Sequence, residues 1–352
     1  MAKASRLVLA FLIAAVITDS SSRAQKKDLP QAGEQSTQDD VIRVNTTFVT
    51  VPVSVKDRKG KSVLNLRREA FHLYEDGVEQ EIVYFESPAE TNSPRSESAE
   101  QPLTVALLLD LSDSTQFKLQ QIQNAAVAFI DQLGADDRML VIAFDKRVQV
   151  LAEATNDRAV LRQAISQTRS GGGTSLYDAV DAVISYQLNR ISGRKTIVLL
   201  TDGVDTTSTV GTYAGTVRAA EQLDAPIYPI QYNTYGDFVD NPSRETYGNG
   251  NFNQTAHMTK GGELASEAYK RATLYLRLLA EKTGGRFEYT DSVKNLSRSF
   301  ARIALELSRE YTLGYYPKNQ NVDGTKRELK VQVSAPRVAV RARKSYIYRK
   351  TK

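Results

Sequence analysis

The sequence predicts an α/β domain inserted between the two halves of a β-sandwich. Three patterns carry this. From 102 to 310, apolar strand-like runs alternate with helical periodicity, the order of a mainly parallel sheet with helices on both faces. Period-two strands precede that stretch over 41–87 and return over 311–349. A polar linker over 88–101 (PAETNSPRSESAEQ) separates the first β region from the α/β region. Each β region alone is short of strands for a stable core, so the two are expected to pack together.

The elements follow in chain order. Lys3 and Arg6, an apolar run over 7–17, and Ser22-Arg23-Ala24 form the pattern of an export signal, 1–24, cleaved after Ala24. The run is too short to span a bilayer, which needs ~20 residues. The mature chain is therefore expected to be soluble and exported, periplasmic or extracellular. Residues 25–40 are polar and aperiodic, a flexible leader. Val49, Val51, Val53 and Val55 alternate with Thr50, Pro52, Ser54 and Lys56, a half-buried strand that Pro52 marks as an edge. Asp76-Gly77 is a hairpin signal between strands beginning at Phe71 and running over 78–85.

In the α/β stretch, strands are expected at 103–109, 139–144, 148–151, 196–200, 227–230 and 287–289. Helices are expected at 116–133, 159–168, 176–188, 212–223, 264–282 and 294–309. The last β region holds 311–316, an alternation at Leu329, Val331 and Val333, and another at Val338, Val340 and Ala342.

Composition removes several chemistries. The chain of 352 residues has no Cys, which excludes disulfides, thiolate metal sites and thiol nucleophiles. Its two His, His72 and His257, leave little for histidine metal clusters or Ser-His-Asp relays. His72 is expected to be structural and His257 solvated. The net charge is +5, but residues 326–352 hold ten Lys and Arg against one acid, Glu328. The remainder is net acidic, so no nucleic-acid partner is expected. Arg337, Arg341 and Arg343 read as one solvated strand face, with weak contact to an anionic envelope as the sharper alternative.

Three segments concentrate oxygen donors. One strand ends in Asp110-Leu111-Ser112-Asp113-Ser114. A loop, Ser170-Gly171-Gly172-Gly173-Thr174-Ser175, opens a helix. A later strand ends in Thr201-Asp202-Gly203. Each is expected at the carboxyl edge of a parallel sheet, where open α/β folds bind ligands. Two carboxylates and three hydroxyls, without nitrogen or sulfur, suit a hard divalent cation. The competing readings are local. Ser175-x-x-Asp178 reads as a capping box, and Asp113 and Asp205 as solvated acids rather than a second cation site. The glycines lack the Gly-Lys-Ser/Thr of a phosphate-binding loop.

These segments resemble the metal-ion-dependent adhesion site of the von Willebrand factor type A (VWA) domain: Asp-x-Ser-x-Ser, a distant Thr after glycines, and a distant Asp-Gly. The resemblance covers about 102–310 and implies a Rossmann-like α/β fold. It implies that Asp110, Ser112, Ser114, Thr174 and Asp202 hold Mg²⁺, with Mn²⁺ or Ca²⁺ as alternatives. It further implies a non-enzymatic adhesion-type module whose protein partner completes the ion's shell with an exposed carboxylate. The whole chain, through Val51-Pro52-Val53, Tyr74-Glu75-Asp76-Gly77 and Leu313-Gly314-Tyr315-Tyr316-Pro317, is also similar to exported VWFA-related proteins first catalogued in acidobacteria. The alternatives are a structural part of an envelope assembly and a phosphotransfer or hydrolytic enzyme, for which no positioned His, Cys or Lys is found. Finally, a loop over 233–262 places Tyr235, Phe238, Tyr247 and Phe252 among Asn and Gly, a recognition-like composition if it is not simply structureless.

Overall fold

Seven consecutive buried residues, Thr104–Asp110 (TVALLLD), form the central strand of the α/β domain. A strand with no exposed position needs cover on both faces. The structure, a computed structural model, describes residues 48–88, 102–232, 264–290, 292, 295–321 and 324–348; the side chains of 114, 116 and 117 lie outside that description. The expectations for 1–24, 25–40, the linker after Pro88, the loop over 233–262 and His257 fall outside the described residues.

We number strands in chain order. β1 to β4 are Val49–Asp57, Phe71–Glu75, Val78–Gln80 and Tyr84–Glu86. The α/β domain carries β5 (Thr104–Asp110), β6 (Arg138–Phe144), β7 (Val148–Thr155), β8 (Lys195–Thr201), β9 (Ile227–Tyr232) and β10 (Glu288–Thr290). β11 to β14 are Tyr311–Tyr315, Lys326–Val333, Val338–Arg341 and Ser345–Ile347. The helices are α1 (Leu119–Ile130), α2 (Arg158–Ser166), α3 (Leu176–Ala182), α4 (Tyr213–Gln222), α5 (Ala265–Thr283) and α6 (Leu296–Leu307).

The α/β sheet has the order β10-β9-β8-β5-β6-β7. Its pairings are parallel except β6 with β7, a hairpin at the edge. The chain fills one side of β5 with β6 and β7, then crosses to the other side with β8. The carboxyl ends of β5 and β8 therefore flank a topological switch point. One face buries Leu107, Leu109, Val198 and Leu200 under α1, α2 and α6. The other buries Leu108, Ile197 and Leu199 under α3, α4 and α5. Apolar spacing makes these helices one-sided: α1 buries Ile122, Ala125, Ala126, Phe129 and Ile130. Asp157 caps α2 by accepting from the Ala159 and Val160 amides.

Outside this domain lie two four-stranded sheets, β13-β1-β11-β4 and β14-β12-β2-β3. Each draws strands from both ends of the chain. Together they bury one apolar cluster, including Val51, Val53, Leu73, Leu313 and Leu329. Glu75 is pinned inside it by the hydroxyls of Tyr315 and Tyr346, each at 2.6 Å, and by Arg327 at 2.7 Å.

Two expectations about these strands are corrected. The run 78–85 is two strands in different sheets, because residues 81–83 cross between them. Pro52 is not on an edge strand, since β1 sits between β13 and β11. Proline is tolerated because β13 pairs only with Ser54 to Asp57, which leaves Pro52 unpaired on that side.

The arginine face is also corrected. Arg343 is buried and donates to the Leu223 and Thr50 carbonyls at 3.1 and 2.9 Å. Arg341 pairs with Glu306 of α6, which also accepts Lys56 of β1 at 3.0 Å and lies 3.3 Å from Arg286. Arg341 and Arg343 thus join the sandwich strands to the α/β domain, and only Arg337 is exposed. Period-two alternation identified the strand faces but not what the arginine face packs against.

Candidate metal site

Asp110 ends β5 and is fully buried. Its Oδ1 accepts from the Ser112 amide at 3.0 Å and the Ser112 hydroxyl at 2.6 Å. Its Oδ2 accepts from the Thr201 hydroxyl at 2.6 Å. Thr201 ends β8, whose parallel register with β5 pairs Leu109 with Leu200. Asp202 follows and is 3% exposed. Its Oδ1 accepts the Val204 amide at 3.0 Å, and its carbonyl accepts from Gln231 at 2.9 Å. Gln231 is itself held by the Thr273 hydroxyl of α5 at 2.9 Å.

The glycine loop is tied to both strand ends. The Gly171 amide donates to the Leu111 carbonyl at 2.8 Å. Thr174 accepts at its carbonyl from the Thr206 and Thr207 amides, and its own amide donates to the Thr206 hydroxyl at 2.8 Å. Thr174 is itself only 5% exposed. Glycine at 171 leaves room for Asp145 Oδ2, which a Cβ in the present arrangement would meet at 1.8 Å, and Gly173 has φ +74°, the left-handed region that favours glycine. These ties bring together the segments carrying Asp110, Ser112, Thr174 and Asp202. Ser114 sits in the 3₁₀ segment Asp113–Lys118, and its side chain lies outside the described set.

The capping expectation for Ser175 and Asp178 is corrected. Ser175 occupies the N-cap of α3 without a side-chain cap; its hydroxyl meets that of Thr207 at 2.9 Å. Asp178 instead accepts the Thr209, Val210 and Gly211 amides, which hold its carboxyl below the usual range despite some burial. Asp205 is not a solvated acid either. It is half-buried and accepts from Ser208 and the Tyr177 amide, and burial raises its pKa. Asp113 is exposed, as expected. His72 lies on β2 and contacts Glu79 and Ser334.

Electrostatics tests whether a cation fits. Burial, followed by the field of Asp202, pushes Asp110 up to about 7, against the hydrogen bonds from Ser112 and Thr201. Among the described residues, no group of three or more His, Asp and Glu gathers as a metal cage. The donor set is two carboxylates with hydroxyls, which suits a hard cation that keeps part of its shell for water or a partner. Sequence reasoning missed Tyr232, at the end of β9. It is fully buried, its hydroxyl has no hydrogen-bond partner among the described residues, and its pKa is raised by burial and by Asp110 and Asp202. A buried orphan hydroxyl beside two carboxylates is what an ion's water shell would satisfy. The donors present therefore fit a divalent cation.

Residues 105–204 match the von Willebrand factor type A domain. Over 106 residues the chain is 36% identical to the uncharacterized protein sll0103 of Synechocystis sp.; the match covers 29% of this chain and spans only 25% of that relative's length. Among solved structures it is similar to a von Willebrand factor type A protein from Catenulispora acidiphila, at 12% identity and TM-score 0.43, covering 87% of this chain and 75% of that one. It is also similar to the vWF domain of the type V pili tip protein Mfa5 from Porphyromonas gingivalis, at 13% identity and TM-score 0.42, covering 60% and 96%. The family match runs from within β5 to just past Asp202 and includes Asp110, Ser112, Thr174 and Asp202: the chain carries a von Willebrand factor type A domain.

Proposed function

We propose that this protein is an exported, non-enzymatic binding module that engages a carboxylate of a partner protein through a divalent cation at the sheet rim. The donor set carries the proposal. Asp110 and Asp202 would hold the ion, directly or through water, with hydroxyl oxygens from Ser112, Ser114 and Thr174. When bound, such an ion supplies an electrophilic centre that attracts an acidic side chain. Two fixed negative charges neutralise it less than a carboxylate cage would.

This chain's own residues do the positioning. Ser112 and Thr201 fix both oxygens of Asp110. Gln231 and Thr273 brace the backbone of Asp202. Export is proposed from the basic and apolar start of the sequence. Among the described residues, no helix is long and apolar enough to cross a membrane.

The test is calorimetric titration of Mg²⁺ and Mn²⁺ into wild type, Asp110→Ala and Asp202→Ala. Binding by wild type and loss in both variants is expected. Absence of binding by a folded wild type overturns the proposal. N-terminal sequencing of the secreted or periplasmic product tests cleavage after Ala24.

A further inference from the structure

Beside the rim, the β6–β7 turn and the loop over 167–172 enclose a groove of about 440 Å³. Lys146, Arg147 and Arg169 line it, all exposed. None of the three forms an ion pair among the described residues. Asp145 is the one acid among the described lining residues: its Oδ1 accepts the Arg147 amide at 2.7 Å, and its Oδ2 packs on Gly171. The Ser170 hydroxyl oxygen, also in the lining, is buried without a partner. Leu111 and Leu151 add apolar surface.

Two backbone bonds make the groove continuous with the metal loops. Gly171 donates to Leu111, the residue before Ser112, and Lys146 donates to the Gly172 carbonyl at 3.0 Å. A strip with three cations, unpaired among the described residues, therefore adjoins a rim whose own side chains are acidic and hydroxylic.

We propose that this groove is the second half of the binding surface. It takes further acidic side chains of the same partner segment, so the partner is an acidic peptide bearing several carboxylates. The placement of the first carboxylate rests on the cation reading above; the groove's charge does not. Unpaired cations beside an apolar floor and a buried hydroxyl match a peptide whose side chains enter the groove. A uniformly charged polysaccharide would leave that floor unused.

The test uses the intact protein and two fluorescein-labelled peptides of equal length, one with six aspartates and one with a single aspartate among glycines. Anisotropy is read in Mg²⁺ and in chelator, for wild type and for Lys146→Ala/Arg147→Ala/Arg169→Ala. The three residues are exposed, and an unchanged Mg²⁺ titration confirms that the variant keeps its site. In Mg²⁺, the six-aspartate peptide should bind the variant roughly tenfold more weakly, the sum of three exposed charge contacts. The single-aspartate peptide should bind both proteins equally. Replacing Lys146 by Arg should preserve binding of the six-aspartate peptide.

Equal affinity of wild type and variant for the six-aspartate peptide overturns the proposal, as does failure of wild type to bind it. Tighter binding of polygalacturonate than of that peptide overturns the peptide assignment. A wild type that binds no Mg²⁺, yet still loses the six-aspartate peptide on triple substitution, sinks the cation reading and leaves the groove standing.

Discussion

Thr201 donates its hydroxyl to Asp110 Oδ2 at 2.6 Å, across the switch point between β8 and β5. The Thr201 hydroxyl oxygen also accepts the Gly203 amide at 2.9 Å, so one side chain fixes both the carboxylate and the turn after Asp202. Thr201→Val keeps the shape and removes both bonds. It leaves Oδ2 and an amide unsatisfied in a buried place, which should cost about 1–3 kcal/mol in denaturant unfolding. Mg²⁺ affinity should fall roughly tenfold, the usual scale for losing a group that orients a ligand. Unchanged affinity in calorimetry would show that Asp110 needs no such orientation.

Tyr232 tests the site from the opposite direction. Its buried hydroxyl has no partner among the described residues, so Tyr232→Phe should gain about 1 kcal/mol of stability in chelator. In saturating Mg²⁺ the gain should shrink, because the ion's water shell gives the wild-type hydroxyl a partner. Equal unfolding midpoints of the two proteins in chelator would mean that the hydroxyl is already satisfied there.

Glu310 gives the junction a pH signature. It is buried, it accepts the Tyr228 hydroxyl at 2.5 Å, and burial pushes it up to about 7 against Arg194, Lys56 and Arg286. A carboxyl raised above its unfolded value binds its proton more tightly when folded. It costs nothing below the unfolded pKa of about 4.5, and its cost grows as pH rises towards about 7. Glu310→Gln should thus unfold like wild type near pH 4.5 and be more stable by about 3 kcal/mol above pH 7. Parallel stability profiles for the two proteins would contradict this.

The placement of the candidate donors at the sheet rim was more legible than their surroundings. Asp110, Ser112, Thr174 and Asp202 could be read because strand ends and glycines mark the sheet rim locally. Thr201 lies in one of the three donor segments but has no role in the sequence reading, although parallel register puts it beside Asp110, because a threonine ending an apolar strand reads as part of the strand. Ser175 and Asp178 misled because capping-box spacing is a local signal. The loop from Asp205 to Gly211, thirty residues on, supplies better partners. Arg341 and Arg343 misled for a related reason: alternation assigns faces, and only the tertiary fold brings α6 and Leu223 against them.

That junction yields the last prediction. Glu306 of α6 is 4% exposed and pairs with Lys56, Arg286 and Arg341. Lys56 and Arg341 come from opposite ends of the chain, so one carboxylate joins β1, β13 and the α/β domain. Removing it takes a shared carboxylate from three cations at a partly buried place, leaving Arg286 with Glu288 and Arg341 with the more distant Glu310. Burial already lowers the pKa of Lys56 and of Arg341, and neighbouring Arg286 lowers both further. Glu306→Ala should therefore cost about 3–5 kcal/mol, the range for breaking a buried pair from one side. Glu306→Ala/Arg341→Ala should lose less than the sum of the single changes, since the second substitution removes a charge that the first left with only the more distant Glu310, at 3.7 Å. Strict additivity in denaturant unfolding would show that Glu306 and Arg341 are neighbours without energetic coupling.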